Sequence, residues 1–471
     1  MPEFEIKEFS AGYIDGIDSN LIPPNAAKWS QNWLSRTLGK LEKRSGQEAL
    51  YAAHSSAGTI QGMHGYYEGI GLITRTHLIA CGGDVGYWSG TPKVFTALKT
   101  LLNTTALPLF ETCVNYVVVF NGVDAPWKWD GTSVSALANA PADGRFPTLF
   151  KEKLFVVPKS DPSNLRWSDS FLPESWPGVN YWPVKDGDGD EITGLQVFLD
   201  ELVIFKNHSI HSLRGTSLDD FRLDELDRRV GCVGPFASVP IGNRIYFIGH
   251  RGIYEFNGMS SVNISDVSIP NFWSRVNEAY LNRAVAGVHD EFIWFALPID
   301  SSTTNNIVLA YFPGGERGTW WPLTGINVSC MLNYDTGTGI ETYTGGYSGI
   351  VAKQNPSLYA DFGAAYTAQW KGFDMDGGRA ENEKKIKRAF MRLSPGIDPP
   401  GFYVSQDEGA YEELAVERTD TMVSRHRFTT KRFRYLSPML QHSTAVASEV
   451  RGMYAPFKMK RKPKVRVVAA P

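Results

Sequence analysis

The chain has 471 residues, of which 42% are hydrophobic and 21% charged, with 45 glycines and 27 prolines. That length is too great for one small core and suits either several domains or one large repetitive one. A formal charge of −3 argues against a protein that grips duplex DNA along its length, since such affinity comes from Lys and Arg neutralising phosphates; DNA could pass nearby without being held. The N-terminus, MPEFEIKEFSAGYIDG, lacks the basic start and apolar core of a secretory signal. No apolar run approaches the ~20 residues that span a bilayer, so no membrane segment is expected. Cys81, Cys113, Cys232 and Cys330 show no CxxC pair and no zinc spacing. They are expected to be reduced, packed as small apolar residues in a chain folded in cytoplasm.

Residues 1–50 read as an opening segment that joins a platform. EFEIKEF alternates in strand fashion, a short helix is predicted from Ala26 to Ser35, and Lys43-Arg44-Ser45-Gly46 forms a basic turn. Residues 51–358 read as a series of short strands. VVVFNGVDAPWKWDG sets the type: an apolar strand, an Asn-Gly turn, an aromatic-polar-aromatic strand and an Asp-Gly turn. Weak copies of it recur. Anchored on Trp88, Trp129, Trp167, His211, Tyr254, Ala310 and Ser348, the intervals are 41, 38, 44, 43, 56 and 38 residues. A strand repeat of ~40 residues is the spacing of a β-propeller blade. A blade cannot bury both faces alone, and stacking blades radially buries them. The prediction is an all-β fold: a β-propeller of about seven blades, with an additional β-rich platform formed by the termini. A pair of β-sandwiches is the competing architecture.

The long interval holds a predicted helical insertion near 268–284, with Ser268 as N-cap and Trp273, Val276, Tyr280 and Ala284 on one face. Residues 359–457 are more charged, carry longer strands and read as the platform domain. The chain closes on a basic tail, 458–471, holding Lys458, Lys460, Arg461, Lys462, Lys464 and Arg466. This tail either contacts DNA or an acidic neighbouring subunit, or is a solvated end.

No nucleophile, phosphate-loop or metalloprotease motif is present, and no cofactor is expected. Asp186, Asp188 and Asp190 have the D-x-D-x-D spacing of a calcium loop, but Glu191 and Val197 stand where that loop needs Gly and a bidentate Glu. A polar turn is the preferred reading. His208 and His211 point to opposite strand faces, and His250 and His289 read as surface residues. The acidic SLDDFRLDELDRR reads as a solvated or intersubunit face.

In their order, three stretches carry a resemblance. The first has Pro24-Asn25, Asn32, Lys43-Arg44 and Gly46; the others are LFVVPKSDPSNLRWSDSFLPESWPGVNYW and DGDGDEITGLQVFLDELVIFKNHSIHSLRGTS with GCVGPFASVPIGNRIYFIGHRGIYEFNG. They resemble the nozzle proteins of short-tailed bacteriophages, the tail tubular protein B group, and the wider set of propeller-bearing phage tail proteins. The similarity covers roughly residues 10–300. It implies a structural virion protein rather than an enzyme, assembled in the host cytoplasm into the viral tail. It implies a homo-hexamer, a sixfold ring below the head–tail adaptor protein. The ring would enclose the exit channel for double-stranded genomic DNA without sequence-specific binding, help retain packaged DNA, and abut tail fibres or tailspikes. Two alternatives stand beside it. One is another propeller-bearing tail component, at the tip or facing the receptor. The other is a glycan-cleaving propeller enzyme, which needs two carboxylates facing a sugar at the propeller axis.

Overall fold

A computed structural model describes residues 3–36, 39–69, 73–185, 187–314, 318–378, 380–420, 422–428 and 432–459. The opening example shows how sequence becomes blade. Tyr116–Phe120 pairs with Trp127–Trp129, setting Val117 opposite Trp129 and Val119 opposite Trp127. Alternation sends both indoles to the same face, where each is 3% exposed, while Lys128 points out to Glu174 at 2.6 Å. Trp129 lies against Tyr66 and Tyr87 of the preceding blade, so the aromatic repeat forms the inter-blade core. Burying such a ring removes about 150–250 Å² from water, worth up to about 4–6 kcal/mol. The two turns need positive φ, which Gly122 (73°) and Gly131 (92°) adopt without strain. Asp130 accepts the N–H groups of Thr132 and Ser133, and these bonds hold its carboxyl down at about 2.

Six four-stranded antiparallel sheets follow this plan, and with a seventh, larger sheet they form a β-propeller. Blades 1 to 6 begin with Ile60–Glu68, Leu109–Cys113, Gly144–Phe150, Ile192–Phe198, Ser238–Ile241 and Val285–His289. Blade 7 has three strands from its own stretch, Cys330–Asp335, Ile340–Gly345 and Val351–Asn355; its fourth is Gly46–Ala49 from near the N-terminus. The sequence reading placed 46–49 with the opening segment, yet these residues close the propeller. Six of the seven repeat anchors fall in the third strand of their blades, and Ser348 lies in the turn just before one. First strands of neighbouring blades pack around the axis, least closely between blades 4 and 5, and Ser329 Oγ of the last blade donates to the Ile60 carbonyl of the first at 2.6 Å.

The termini build two further sheets. The long strand Glu449–Met459 is the spine of an eight-stranded sheet that also takes Glu3–Ile6, Leu41–Lys43 and Arg388–Leu393. A five-stranded sheet has the order Trp29–Gln31, Ala368–Lys371, Leu436–His442, Gly401–Gln406, Glu412–Glu413. One hydrophobic core joins these two sheets to blade 6, through Phe4, Trp33, Trp370 and Phe457 on the platform side and Trp294, Trp321 and Leu323 on the blade. Ala360–Asp361 and Ala364–Ala365, expected in the platform, instead extend the sheet of blade 7.

Two predicted helices are replaced. Ala26 to Ser35 forms three short strands, Ala26–Ala27, Trp29–Gln31 and Trp33–Leu34, each pairing with a different partner; Asn32 sits between the last two at φ 60°. Tertiary pairing overrides a weak local helix preference. The 268–284 segment is two 3₁₀ turns, Phe272–Arg275 and Glu278–Arg283, broken where Val276 goes extended and bridges to Ile299. Phe272 and Leu281 are the residues these turns bury, not the expected 3.6-residue stripe.

Candidate functional site

Four motif residues, three of them polar, converge at one place, the joint between propeller and platform. Arg44 is 1% exposed. Its guanidinium grips Asp361 with two bonds, Nη1 to Oδ1 at 3.0 Å and Nη2 to Oδ2 at 2.5 Å. It also donates from Nε to Asn32 Oδ1 (2.9 Å), from Nη1 to the Ser45 carbonyl and from Nη2 to the Thr324 carbonyl of blade 6. The ring of Tyr366 lies 3.8 Å from the guanidinium carbon. Asn32 completes the lock: its Oδ1 also accepts the Thr324 N–H, and its Nδ2 donates to Thr324 Oγ1 and to the Thr367 carbonyl. A buried guanidinium with all its directions matched is tolerable; one with a partner removed is not.

Lys43 lies beside it, over the same Tyr366 ring at 4.2 Å. Burial, then the Arg44 charge, pulls its ammonium down to about 8. Gly46 passes so close to the next strand that a Cβ there would lie 2.1 Å from the Ala360 carbonyl oxygen. Asn25, the remaining motif residue, ties the opening segment to itself through Glu8 and Ser10. The sequence singled out Asn32, Lys43, Arg44 and Gly46; it held no local signal for Asp361, Tyr366 or Thr324, which lie about 280–320 residues away.

The second concave feature is at the propeller axis, on the face where the first strands begin. A cavity of about 550 Å³ opens there, along blades 2 to 5; the first strands of blades 4 and 5 stand further apart than the others. Arg145, Lys159, Glu191, Asn207 and Asn282 line it. Glu191 is the one carboxylate among its described lining residues, so the pair a glycosidase needs does not meet there.

Below it, on the first strand of blade 2, burial pushes the Glu111 carboxyl up to about 7 from its ordinary 4.5. Between those two values the folded chain keeps a proton that the unfolded chain releases. Stability should therefore fall as pH rises through that window and level off above it. Glu111→Gln copies the neutral acid. It is expected to match the parent protein near pH ~5 and to exceed it by about 1–3 kcal/mol near pH ~8. Urea denaturation at both pH values checks this, and equal stability of the two proteins at the higher pH would count against it.

The aspartate-rich turn is structural. Lys206 is wholly buried, and its ammonium sits between the Asp188 oxygens at 2.8 and 2.9 Å and near the Val184 carbonyl. Asp190 accepts the N–H groups of Asn207 and His208. A lysine thus takes the role a cation would have, and Asp186 lies outside the described residues. Among the described residues no cluster of three or more His, Cys, Asp or Glu is placed to hold a metal. His211 is buried on the third strand of blade 4, whereas His208 is exposed in the turn before it and not on the strand as expected. His289 is not the surface residue expected: it is 6% exposed, against Trp294 at 4.6 Å and bonded to Thr342. The Arg222–Asp227 part of the acidic segment is the outer strand of blade 4. All four cysteines are free and buried, and burial pushes the Cys113 thiol up to about 11. Of the basic tail, Lys458 is exposed on the last strand, opposite Lys385. Lys460, Arg461, Lys462, Lys464 and Arg466 lie outside the described residues. Among the described residues no helix is long and apolar enough to cross a membrane.

No protein-family profile matches the chain, and no curated protein does. Solved structures match the chain at low identity. The computationally designed Ika8 protein is 12% identical over 66% of this chain and 99% of its own, with a TM-score of 0.38. BBS1N, solved in complex with ARL6DN, is 12% identical over 66% and 98%, with a TM-score of 0.43. The extracellular domain named as that of a hybrid two-component system, BT4673 from B. thetaiotaomicron, is 8% identical over 79% of this chain and 44% of its own, with a TM-score of 0.45. At these scores the likenesses carry no argument about what the chain does.

Proposed function

We propose that this chain is a structural subunit of a short-tailed bacteriophage tail, the nozzle ring below the head–tail adaptor. One observation carries the reading: four of the opening-segment residues quoted for the family resemblance, Asn32, Lys43, Arg44 and Gly46, meet in a single buried joint between the propeller and a platform built from both termini. A subunit of a pressure-bearing conduit needs a rigid body, and a matched buried guanidinium supplies rigidity at the seam. In this proposal the platform sheets build a sixfold ring and the propeller stands outward or sideways, where its loops meet tail fibres or tailspikes. Genomic DNA passes through the lumen without being gripped, consistent with a net charge of −3. The basic tail from Lys458 to Arg466 contacts DNA or an acidic neighbouring subunit.

Copy number tests it. Quantitative mass spectrometry of purified particles is expected to give half the count of the portal subunit, a sixfold ring on a twelvefold connector. A count tied to the fibres would move the chain to the tail tip. Absence from particles would end the structural reading, and glycan-cleavage assays would follow.

A further inference from the structure

Blades 4 and 5 enclose a second cavity, of about 350 Å³, on the same face as the axial one and sharing Asn207 with it. Three loops supply its walls. The turn after the second strand of blade 4 gives His208, the link from blade 4 to blade 5 gives Arg228 and Arg229, and the turn after the second strand of blade 5 gives His250 and Arg251. The two imidazoles stack at 5.1 Å with an interplanar angle of 13°.

The carboxylates nearby are mostly committed elsewhere. Glu225 takes Arg228 at 2.9 Å and Lys185 at 2.5 Å. Asp190 lies 3.6 Å from His208 Nδ1, but its oxygens accept two backbone N–H groups. Asp227 accepts the Arg229 N–H. Among the described residues neither the Arg229 nor the Arg251 guanidinium has a carboxylate at ion-pair distance. His250 Nε2 is buried and has no hydrogen-bond partner. The Trp273 indole N–H donates to the His250 backbone carbonyl at 2.9 Å and fixes the turn that carries it.

Two uncompensated guanidiniums and an orphaned imidazole nitrogen around one cavity form an unfilled anion site: guanidinium matches the geometry of a planar or tetrahedral oxyanion, and each donor is strongest when charge-assisted. We propose that the blade 4–blade 5 cavity binds an oxyanion, a phosphate or carboxylate group, with Arg229 and Arg251 as charge partners and His250 Nε2 as a hydrogen-bond donor. The cavity exceeds one oxyanion in size, so the group is carried on a small organic body. This site is independent of the ring assembly proposed above.

Isothermal titration calorimetry on the full chain tests it, with inorganic phosphate, glucose 6-phosphate and citrate as probes. At least one probe is expected to bind saturably, and Arg229→Gln/Arg251→Gln to weaken it tenfold or more. Tighter binding of glucose 6-phosphate than of citrate assigns the group as a phosphomonoester, and the reverse as a carboxylate. His250→Gln, which retains a donor, should weaken binding less than His250→Phe. Both arginines are exposed, so the double variant is expected to keep the parent melting temperature; if it does not, Arg229→Lys/Arg251→Lys provides the comparison. No saturable binding of any probe, or binding unchanged by the arginine substitutions, would overturn the proposal. So would binding of a short DNA duplex that depends on these arginines while the small anions fail to bind.

Discussion

Arg44→Met is expected to destabilise the protein by about 3–5 kcal/mol, the cost of breaking a buried ion pair by removing one partner. The methionine fills much of the space, so the loss is chiefly electrostatic. Asp361, 13% exposed at its side chain, keeps its charge without its two donors, and Asn32 and the Thr324 carbonyl each lose one. Arg44→Lys should recover only part, because an ammonium cannot make the two parallel bonds to Asp361. Adding Asp361→Asn to Arg44→Met should recover more, since it removes the stranded charge. Because Arg44 spans blade 6, blade 7 and the platform, the variant is also expected to unfold in two steps where the parent unfolds in one. Scanning calorimetry reads both effects. A loss under ~1 kcal/mol, the size of an exposed pair, would mean that the joint is not what holds the two parts together.

Gly46→Val is expected to be as damaging for a steric reason. Gly46 opens the strand that closes blade 7, and its N–H bonds to the Leu358 carbonyl at 2.7 Å. A Cβ would meet the Ala360 carbonyl oxygen at 2.1 Å, its nitrogen at 2.7 Å and its carbon at 2.8 Å. All three are backbone atoms, so no side chain can swing aside. Either the closing strand or the Ala360–Asp361 strand must move, and the cost should exceed the ~1–3 kcal/mol of ordinary overpacking. Limited proteolysis is the direct readout: the variant should be cut near residues 50–58, the link from the closing strand to blade 1, where the parent resists. A variant as resistant and as heat-stable as the parent would show that the closure tolerates a wider strand separation.

Both predictions depend on pairings that lie far apart in the chain, and this explains what could be read beforehand. The blades were legible because their signals are local. In residues 116–131 the period of two, the Asn-Gly and Asp-Gly turns and the paired indoles lie within one short stretch, and six of the seven blades are each built from one such stretch. The helices failed for the opposite reason. Ala26 to Ser35 has helix-compatible composition, but Trp29–Gln31 finds Ala368–Lys371, and Trp33–Leu34 finds Leu41–Lys43. The site was half legible: Asn32, Lys43, Arg44 and Gly46 could be picked out as a pattern, but not as neighbours. Along the chain His208 reads only against His211, and His250 as a surface residue; two adjacent blades set the rings of His208 and His250 face to face.

The sequence by itself determined the repeat, its approximate count and the all-β class, because alternation and turn chemistry act within a few residues. The tertiary structure alone decided which strand closes the ring, where propeller and platform meet and which charges are buried there. Those outcomes rest on contacts across 300 residues or more, such as Gln47 with Gln354 and Arg44 with Asp361. No local propensity encodes such contacts; they form once the hydrophobic faces of blade 6 and the two terminal sheets have a common core to bury.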